Sequence, residues 1–498
     1  MLTPFDPFDF THQENPYEDY DLEPMLPHRF SRQGPCVVAG DVDGDGLDDL
    51  FLGGPARTAG TLFLQRKGGS FLKKEMPDPG YEDAGAALFD ADGDGDLDLY
   101  VVSGGSEYNP LTATYQDRLY FNDGRGNFTR QKAALPVEYA SGSCVVPQDF
   151  DGDGDLDLFV GGRLIPTRYP QAAESFLLRN DGRGNFTDVT EEIAPNLKES
   201  GMVTAAAWAD ANGDRRPDLL VVGEWMAPQL YLSDSDKLVR SPQPALDSLK
   251  GWYLSAATLE ANQDGRPDFV VGNLGLNSRW QVSKTQPLRL YANDLDQNGR
   301  IELLLTQYIA GDQRPVFGRE HVAMQYPLIK KKYPTYTDYA NATMEDLINP
   351  SDRANSLIME ATDFRSFVLL TDQDKQTGTV SLLPKPLPRA AQVSPIRSIL
   401  VLDFGGDGID DLITGGNWFS PDYRLGRFDA AGGQIIRGSR NGDFRVMPPS
   451  KSGYLPRGEA ALVARLVIGG KPAIVAGQNS DELRAWYLPY TPNKGFKK

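Results

Sequence analysis

Short apolar runs bracketed by polar turns follow one another along most of the chain. Cys36-Val37-Val38-Ala39-Gly40 is a run of small and branched residues. An acidic stretch follows to Asp49, then Leu50-Phe51-Leu52-Gly53-Gly54, then Thr61-Leu62-Phe63-Leu64 and a glycine-rich turn before Phe71. Runs of this length, rich in Val, Leu and Phe and punctuated by Gly and Asp, predict β-strands, here four in succession. The same order restarts at Ala84, Ser143, Val203, Leu254 and Ile396. A four-strand unit recurring at roughly sixty residues predicts a β-propeller, in which each sheet buries its faces against its neighbours.

Within a unit we call the strands A to D. Strand A precedes the acidic stretch, B follows it, and C and D form a hairpin such as Leu119-Tyr120-Phe121-Asn122-Asp123-Gly124, whose Asn-Asp-Gly turn suits a tight reversal. Residues 461–467, 473–476 and 483–487 repeat A, B and C without an acidic stretch, and the missing fourth strand is expected from Phe8-Asp9-Phe10-Thr11. The expected fold is therefore all-β: a seven-bladed β-propeller of four-stranded antiparallel blades, with eight blades as the alternative. Residues 1–35 are its lead-in with the ring-closing strand, and residues 36–488 are the propeller. Residues 308–395, longer than any other connection, are an insertion carrying its own hairpin at 367–370 and 380–383. As a D-to-A connection it would emerge opposite the acidic turns.

The acidic stretches change the picture from architecture to chemistry. Asp41, Asp43, Asp45 and Asp49 stand at the first, third, fifth and ninth positions of a turn with glycine at the fourth and sixth, and so do Asp90, Asp92, Asp94 and Asp98, and Asp149, Asp151, Asp153 and Asp157. Glycine permits the left-handed conformations that turn the carboxylates inward, and the seventh residue offers a carbonyl. Four carboxylates so close repel one another unless a cation sits between them, and the oxygen set suits a hard ion, Ca²⁺. Weaker versions are Asp210, Asn212, Asp214 and Asp218, with Arg215 in a glycine position, and Glu260, Asn262, Asp264 and Asp268. Asp294, Asp296, Asn298 and Glu302 open too soon after Glu260 for a new unit, so this turn is placed between strands C and D, on the same side as the others. The turn at Asp403 has Gly405 at its third position and is expected to be weak or empty.

The formal charge of −19 fits metal demand and argues against nucleic acid as a partner. Cys36 and Cys144 occupy equivalent places in units that are not adjacent, so they are expected as free thiols. No run of about twenty apolar residues could span a membrane. Met1-Leu2-Thr3-Pro4-Phe5-Asp6 has neither a basic region nor an apolar run, so any secretion signal is expected to be absent from this chain.

Candidate ligand-binding residues gather in the B–C loops, on the side away from the acidic turns. They are Glu107 and Tyr108, Arg163, Glu224 and Trp225, Asn273, Arg279 and Trp280, Asn417 and Trp418, and Asn479. Around one axis they would form a polar basin edged with aromatic rings, suited to a glycan or a peptide. Catalysis is the competing expectation, as a polysaccharide lyase or dehydratase, with His321, Lys331, Tyr333 and Tyr336 acting beside Arg163. No phosphate-cradling glycine loop or nucleophile motif supports other chemistry.

The recurrent D-x-D-G-D-G-x-x-D followed by L-x-V-G-G resembles the FG-GAP or VCBS repeats of integrin alpha-subunit propellers. Segments such as Gly161-Gly162-Arg163, Gly223-Glu224-Trp225-Met226 and Gly272-Asn273-Leu274-Gly275-Leu276-Asn277 are similar to surface or secreted repeat proteins of Bacteroidetes related to cartilage acidic protein. The resemblance implies bound calcium and an extracytoplasmic location, secreted or at the cell surface, and names no ligand. The expected partner is a glycan or a cell-surface or secreted protein, and the expected state a monomeric module.

Overall fold

A computed structural model describes residues 1–489, whose regular structure is mainly β-strand, with short helices gathered in residues 319–355. Eight antiparallel sheets form, seven of four strands and one of five. The first consists of Val37–Gly40, Asp49–Leu52, Thr61–Arg66 and Ser70–Glu75, and the second of Asp83–Phe89, Asp98–Ser103, Arg118–Phe121 and Thr129–Arg130. The third begins at Ser141–Gln148, the fourth at Met202–Ala209, the fifth at Ser255–Leu259, the sixth at Ser398–Leu402 and the seventh at Glu459–Ile468. Each of these A strands touches the next, and Glu459–Ile468 touches Val37–Gly40, so the A strands close a cycle. The chain is a β-propeller.

Small residues make this crowding at the axis possible. A methyl group on Gly85 would stand 2.9 Å from the Ser143 carbonyl oxygen of the next A strand, and one on Gly104 would stand 2.7 Å from the Gly142 oxygen. Apolar layers fill the space between sheets. Tyr100 and Leu119 of the second sheet pack with Leu158, Val160 and Leu178 of the third, and Leu220 and Leu230 of the fourth pack with Phe269 and Leu369 of the fifth.

The Asn-Asp-Gly turns do more than reverse the chain. Asn122 in the second sheet donates its side-chain amide to the Val42 carbonyl in the acidic turn of the first, at 2.7 Å, and Asn180 in the third sheet donates to Ala91 in the second, at 2.8 Å. Each of these turns thus latches onto the acidic turn of the preceding sheet.

The structure departs from the expected layout in three places. The seventh sheet is completed by Thr3–Phe5, paired with Arg484–Tyr487. Of the expected strand, only Thr11 makes a bridge, to Glu482, while Phe8 and Phe10 pack their rings on Phe63. The excursion leaves the ring earlier than expected. It runs from Asp268–Gly272, the B strand of the fifth sheet, to Phe367–Gln373, its C strand, so residues 367–370 and 380–383 belong to the ring and not to an insertion. Finally, the turn at Asp294 is no C–D turn of the ring. It joins Leu288–Asn293 to Glu302–Ile309 inside a sheet of the excursion, with Asp312–Pro315 on one edge and Leu357–Ala361 on the other. As a B–C connection the excursion is rooted opposite the acidic turns of the ring.

Candidate metal centres and a covered basin

The acidic turns share one construction. The first acid accepts two backbone N–H groups across the turn: Asp41 from Gly44 and Gly46, both at 2.9 Å, and Asp90 from Gly93 and Gly95 at 2.8 and 3.0 Å. The ninth acid is clamped from both sides, Asp49 by the N–H groups of Val42 and Gln65, and Asp98 by those of Ala91 and Asn122. Burial raises both ninth acids to about 6 even so, and Asp157 to about 7. Gly44 and Gly46 are left-handed, as the turn requires, and Arg215 adopts the same conformation at φ 71° without being glycine.

Ligand oxygens lie within 4.8 Å of one another in Asp41, Asp43 and Asp45, in Asp90, Asp92 and Asp94, in Asp149, Asp151 and Asp157, and in Asp294, Asp296 and Glu302. Asp43 Oδ1 and Asp296 Oδ1 are buried without a hydrogen-bond partner. A buried carboxylate oxygen with no donor is costly, and a hard divalent cation is the partner this oxygen set fits. Among the side chains, Arg66 pairs with Asp43 at 2.8 Å and Arg179 with Asp151 at 2.9 Å. The turns at Asp210 and Glu260 are poorer in charge. There Asn212 and Asn262 turn their amides toward Asp214 and Asp264, each at 3.1 Å.

The expected basin on the opposite side is brought together and then filled. Glu224 and Arg163 meet at 3.3 Å, the Tyr169 hydroxyl donates to Glu224 at 2.6 Å, and the Trp225 indole donates to Tyr169. Into this group the lead-in inserts His28, fully buried and 2.9 Å from Glu224, and Phe30, under the Arg163 guanidinium. Burial works against a charged Glu224, yet His28, Arg163 and Tyr169 hold its carboxyl below the ordinary range. Trp418 packs on the His28 ring, and Trp280 reaches it through Trp252.

The other expected ligand contacts are spent within the chain. Glu107 accepts from Asn15 of the lead-in at 2.9 Å, and Asn479 donates to the Arg32 carbonyl at 3.2 Å. Asn273 accepts from the Trp252 N–H and donates to the Asp363 and Arg365 carbonyls. Asn417 donates to Gly458. Tyr108 donates to Gly80, and Arg279, which is exposed, donates to the Arg424 carbonyl. Of the catalytic candidates, His321 meets Tyr423, Tyr333 donates to the Asp346 carbonyl, and Arg319 lies over Tyr336. Arg163 is engaged by Glu224 and Phe30 instead.

Beside the covered basin a cleft of about 900 Å³ opens between the loops of the second and third sheets and Leu357 of the excursion. Its residues had no signal in the sequence, since Glu138 and Leu111 lie in unpatterned loops.

Three segments match the FG-GAP-like repeat, residues 41–101, 104–160 and 210–271. The first and third begin at an acidic turn and the second just after a B strand, and all three end in a B strand, so the repeat unit of the sequence and the sheet of the fold coincide up to a shift of phase. No curated protein sequence matches the chain significantly. Among solved structures, the V. cholerae biofilm matrix protein Bap1 is similar at 10% identity and a TM-score of 0.35, covering 98% of this chain and 92% of that one. A structure described as YCF48 bound to D1 peptide is similar at 8% identity and a TM-score of 0.42, covering 97% and 100%. Likenesses this distant say nothing of function. No helix among the described residues is long and apolar enough to cross a membrane.

Both cysteines are free, and burial raises the Cys144 thiol to about 11.

Proposed function

We propose that the chain is a seven-bladed FG-GAP-type propeller, stabilised by calcium and working outside the cytoplasm, that recognises a glycan or a protein at the end opposite its acidic turns. What supports seven blades is the cycle of seven A strands, with the eighth sheet standing inside one B–C connection. The observation that carries the calcium reading is the orphaned buried oxygen of Asp43 within a cluster of carboxylates. Calcium here is structural, because the acidic turns that hold it staple strand A to strand B of their own sheets. Recognition falls to the B–C end, where the loops differ from sheet to sheet and where the cleft opens.

A glycan array and a pull-down from outer-membrane and secreted extracts, both in millimolar Ca²⁺, test recognition. Retention of a defined glycan or protein that is lost on chelation is the expected result, and two empty screens would remove the recognition reading.

A further inference from the structure

We infer that the cleft between the second and third sheets binds an extended polypeptide segment that carries a lysine or arginine between apolar side chains. This rests on the reading of the B–C end as a recognition surface and names the ligand class it takes. The walls are aliphatic and proline-rich, with Pro110, Pro136, Ile165 and Pro166 among them. At the rim, Leu111 and Val137 are each 76% exposed, and Leu357 is 43% exposed. Apolar side chains held this openly around one concavity mark a contact surface.

The polar groups of the cleft choose among ligands. Glu138, Glu174, Asp188 and Glu199 line it with a single cation, Lys198, and that cation is taken up by Glu174 at 3.5 Å and Glu191 at 3.1 Å. Glu138, Asp188 and Glu199 have no ion-pair partner among the described residues. One oxygen of Glu138 is buried without a donor, and burial together with Asp117, Asp188 and Glu174 raises its carboxyl to about 9. A site so placed lacks one thing, a positive hydrogen-bond donor at Glu138. A sugar would find few donors and little aromatic surface here, whereas a basic side chain flanked by Val, Leu or Pro satisfies both the acids and the rim. The backbone offers a track as well. Leu357–Ala361 is the outer strand of its sheet; it packs against Asp218–Met226 and Gly251–Trp252 of the ring and is buried at Ala361, but its first residues, Leu357 and Ile358, are exposed, and there an extended segment can meet it.

A positional-scanning library of acetylated hexapeptides, screened by fluorescence polarisation against the whole chain in Ca²⁺, tests this. The expected result is selection of Lys or Arg at one position, at least tenfold over norleucine, with aliphatic residues or proline beside it. Glu138→Gln should abolish the preference for the basic residue while keeping the aliphatic one, and Leu111→Asp or Val137→Asp should weaken the selected peptide at least tenfold. Both rim positions are exposed, so unchanged melting confirms that the variants are folded. No selected peptide, selection of acidic residues, or an unaltered basic preference in Glu138→Gln would overturn the inference. A positive glycan array beside an empty peptide library would leave the recognition reading standing and remove only the peptide. Two empty screens would remove both.

Discussion

Arg437 pairs with Asp407 at 2.7 Å and lies 2.9 Å from Asp411, both acids of the sixth acidic turn. Its guanidinium occupies the room that opens because the third position is Gly405: a methyl group there would collide with it. In the third sheet the arginine at the same place, Arg179, meets an acid at that third position, Asp151. The sixth turn therefore carries its cation covalently. Arg437→Met should lower unfolding stability by about 1–3 kcal/mol in chelator, since Asp411 is buried and loses its counter-charge. Adding Gly405→Asp should make the variant's denaturation midpoint more sensitive to Ca²⁺ than the parent's. An unchanged midpoint in the single variant would mean that the guanidinium is a solvated surface group.

The other turns should depend on an ion from solution. Each site held at a hundredfold excess over its dissociation constant adds about 2.7 kcal/mol, so chelation should lower the melting temperature by roughly 10 °C or more. Differential scanning calorimetry with and without EGTA measures this, and an identical melt in both would refute a structural role for calcium.

The latch between neighbouring sheets can be tested residue by residue. Asn122 is buried and donates to both Val42 and Leu97 carbonyls. Asn122→Ala should cost about 1–3 kcal/mol in a denaturant titration, and Asn180→Ala about the same. Asn185→Ala, at an exposed place in the same turn, should stay within about 0.5 kcal/mol. Equal losses at all three would show that the turn matters only for its local shape.

The lead-in should respond to pH. Burial, more than any neighbour, raises Glu14 and Glu23 to about 8 and Glu107 to about 7, and Glu82 stands well above its ordinary value beside Glu14 and Glu107. Arg32 is the cation that works against this at Glu14, and Glu459 adds to it. Carboxyls raised in the folded state stabilise it fully below about pH 4.5, and that contribution is lost as pH rises through 7 to 8. Hydrogen-exchange protection in residues 12–33, corrected for the intrinsic rate at each pH, should be greater at pH 5.5 than at pH 8.5. Glu14→Gln with Glu107→Gln should flatten the difference; equal protection at both pH values in the parent would contradict it.

The ring was legible because six of its seven A–B connections advertise themselves with carboxylates, and the C–D turns of the second and third sheets with Asn-Asp-Gly. The same local signals misplaced the excursion. Leu288–Asn293 stands where a C strand should and ends in an acidic turn, whereas the true C strand, Phe367–Gln373, is brought back only by pairing with Asp268–Gly272. The closing strand was missed for a related reason. Phe8-Asp9-Phe10-Thr11 alternates like a strand, but its rings plug the edge of the first sheet, while Thr3–Phe5, with a proline inside it, takes the edge position that proline tolerates. Arg163, Glu224, Trp225 and Trp418 do converge, as read from their loops. That they are roofed by His28 and Phe30 depends on partners far apart in the chain, which no local pattern records.

The first residues of the chain hold two posts at once. Thr3–Phe5 fastens the last sheet to itself, and later in the same lead-in His28 and Phe30 plug the central basin. Seam and stopper are one thread. Emptying the basin means displacing the thread that also closes the ring, whereas the cleft beside it is lined by no residue of that thread and opens without moving it.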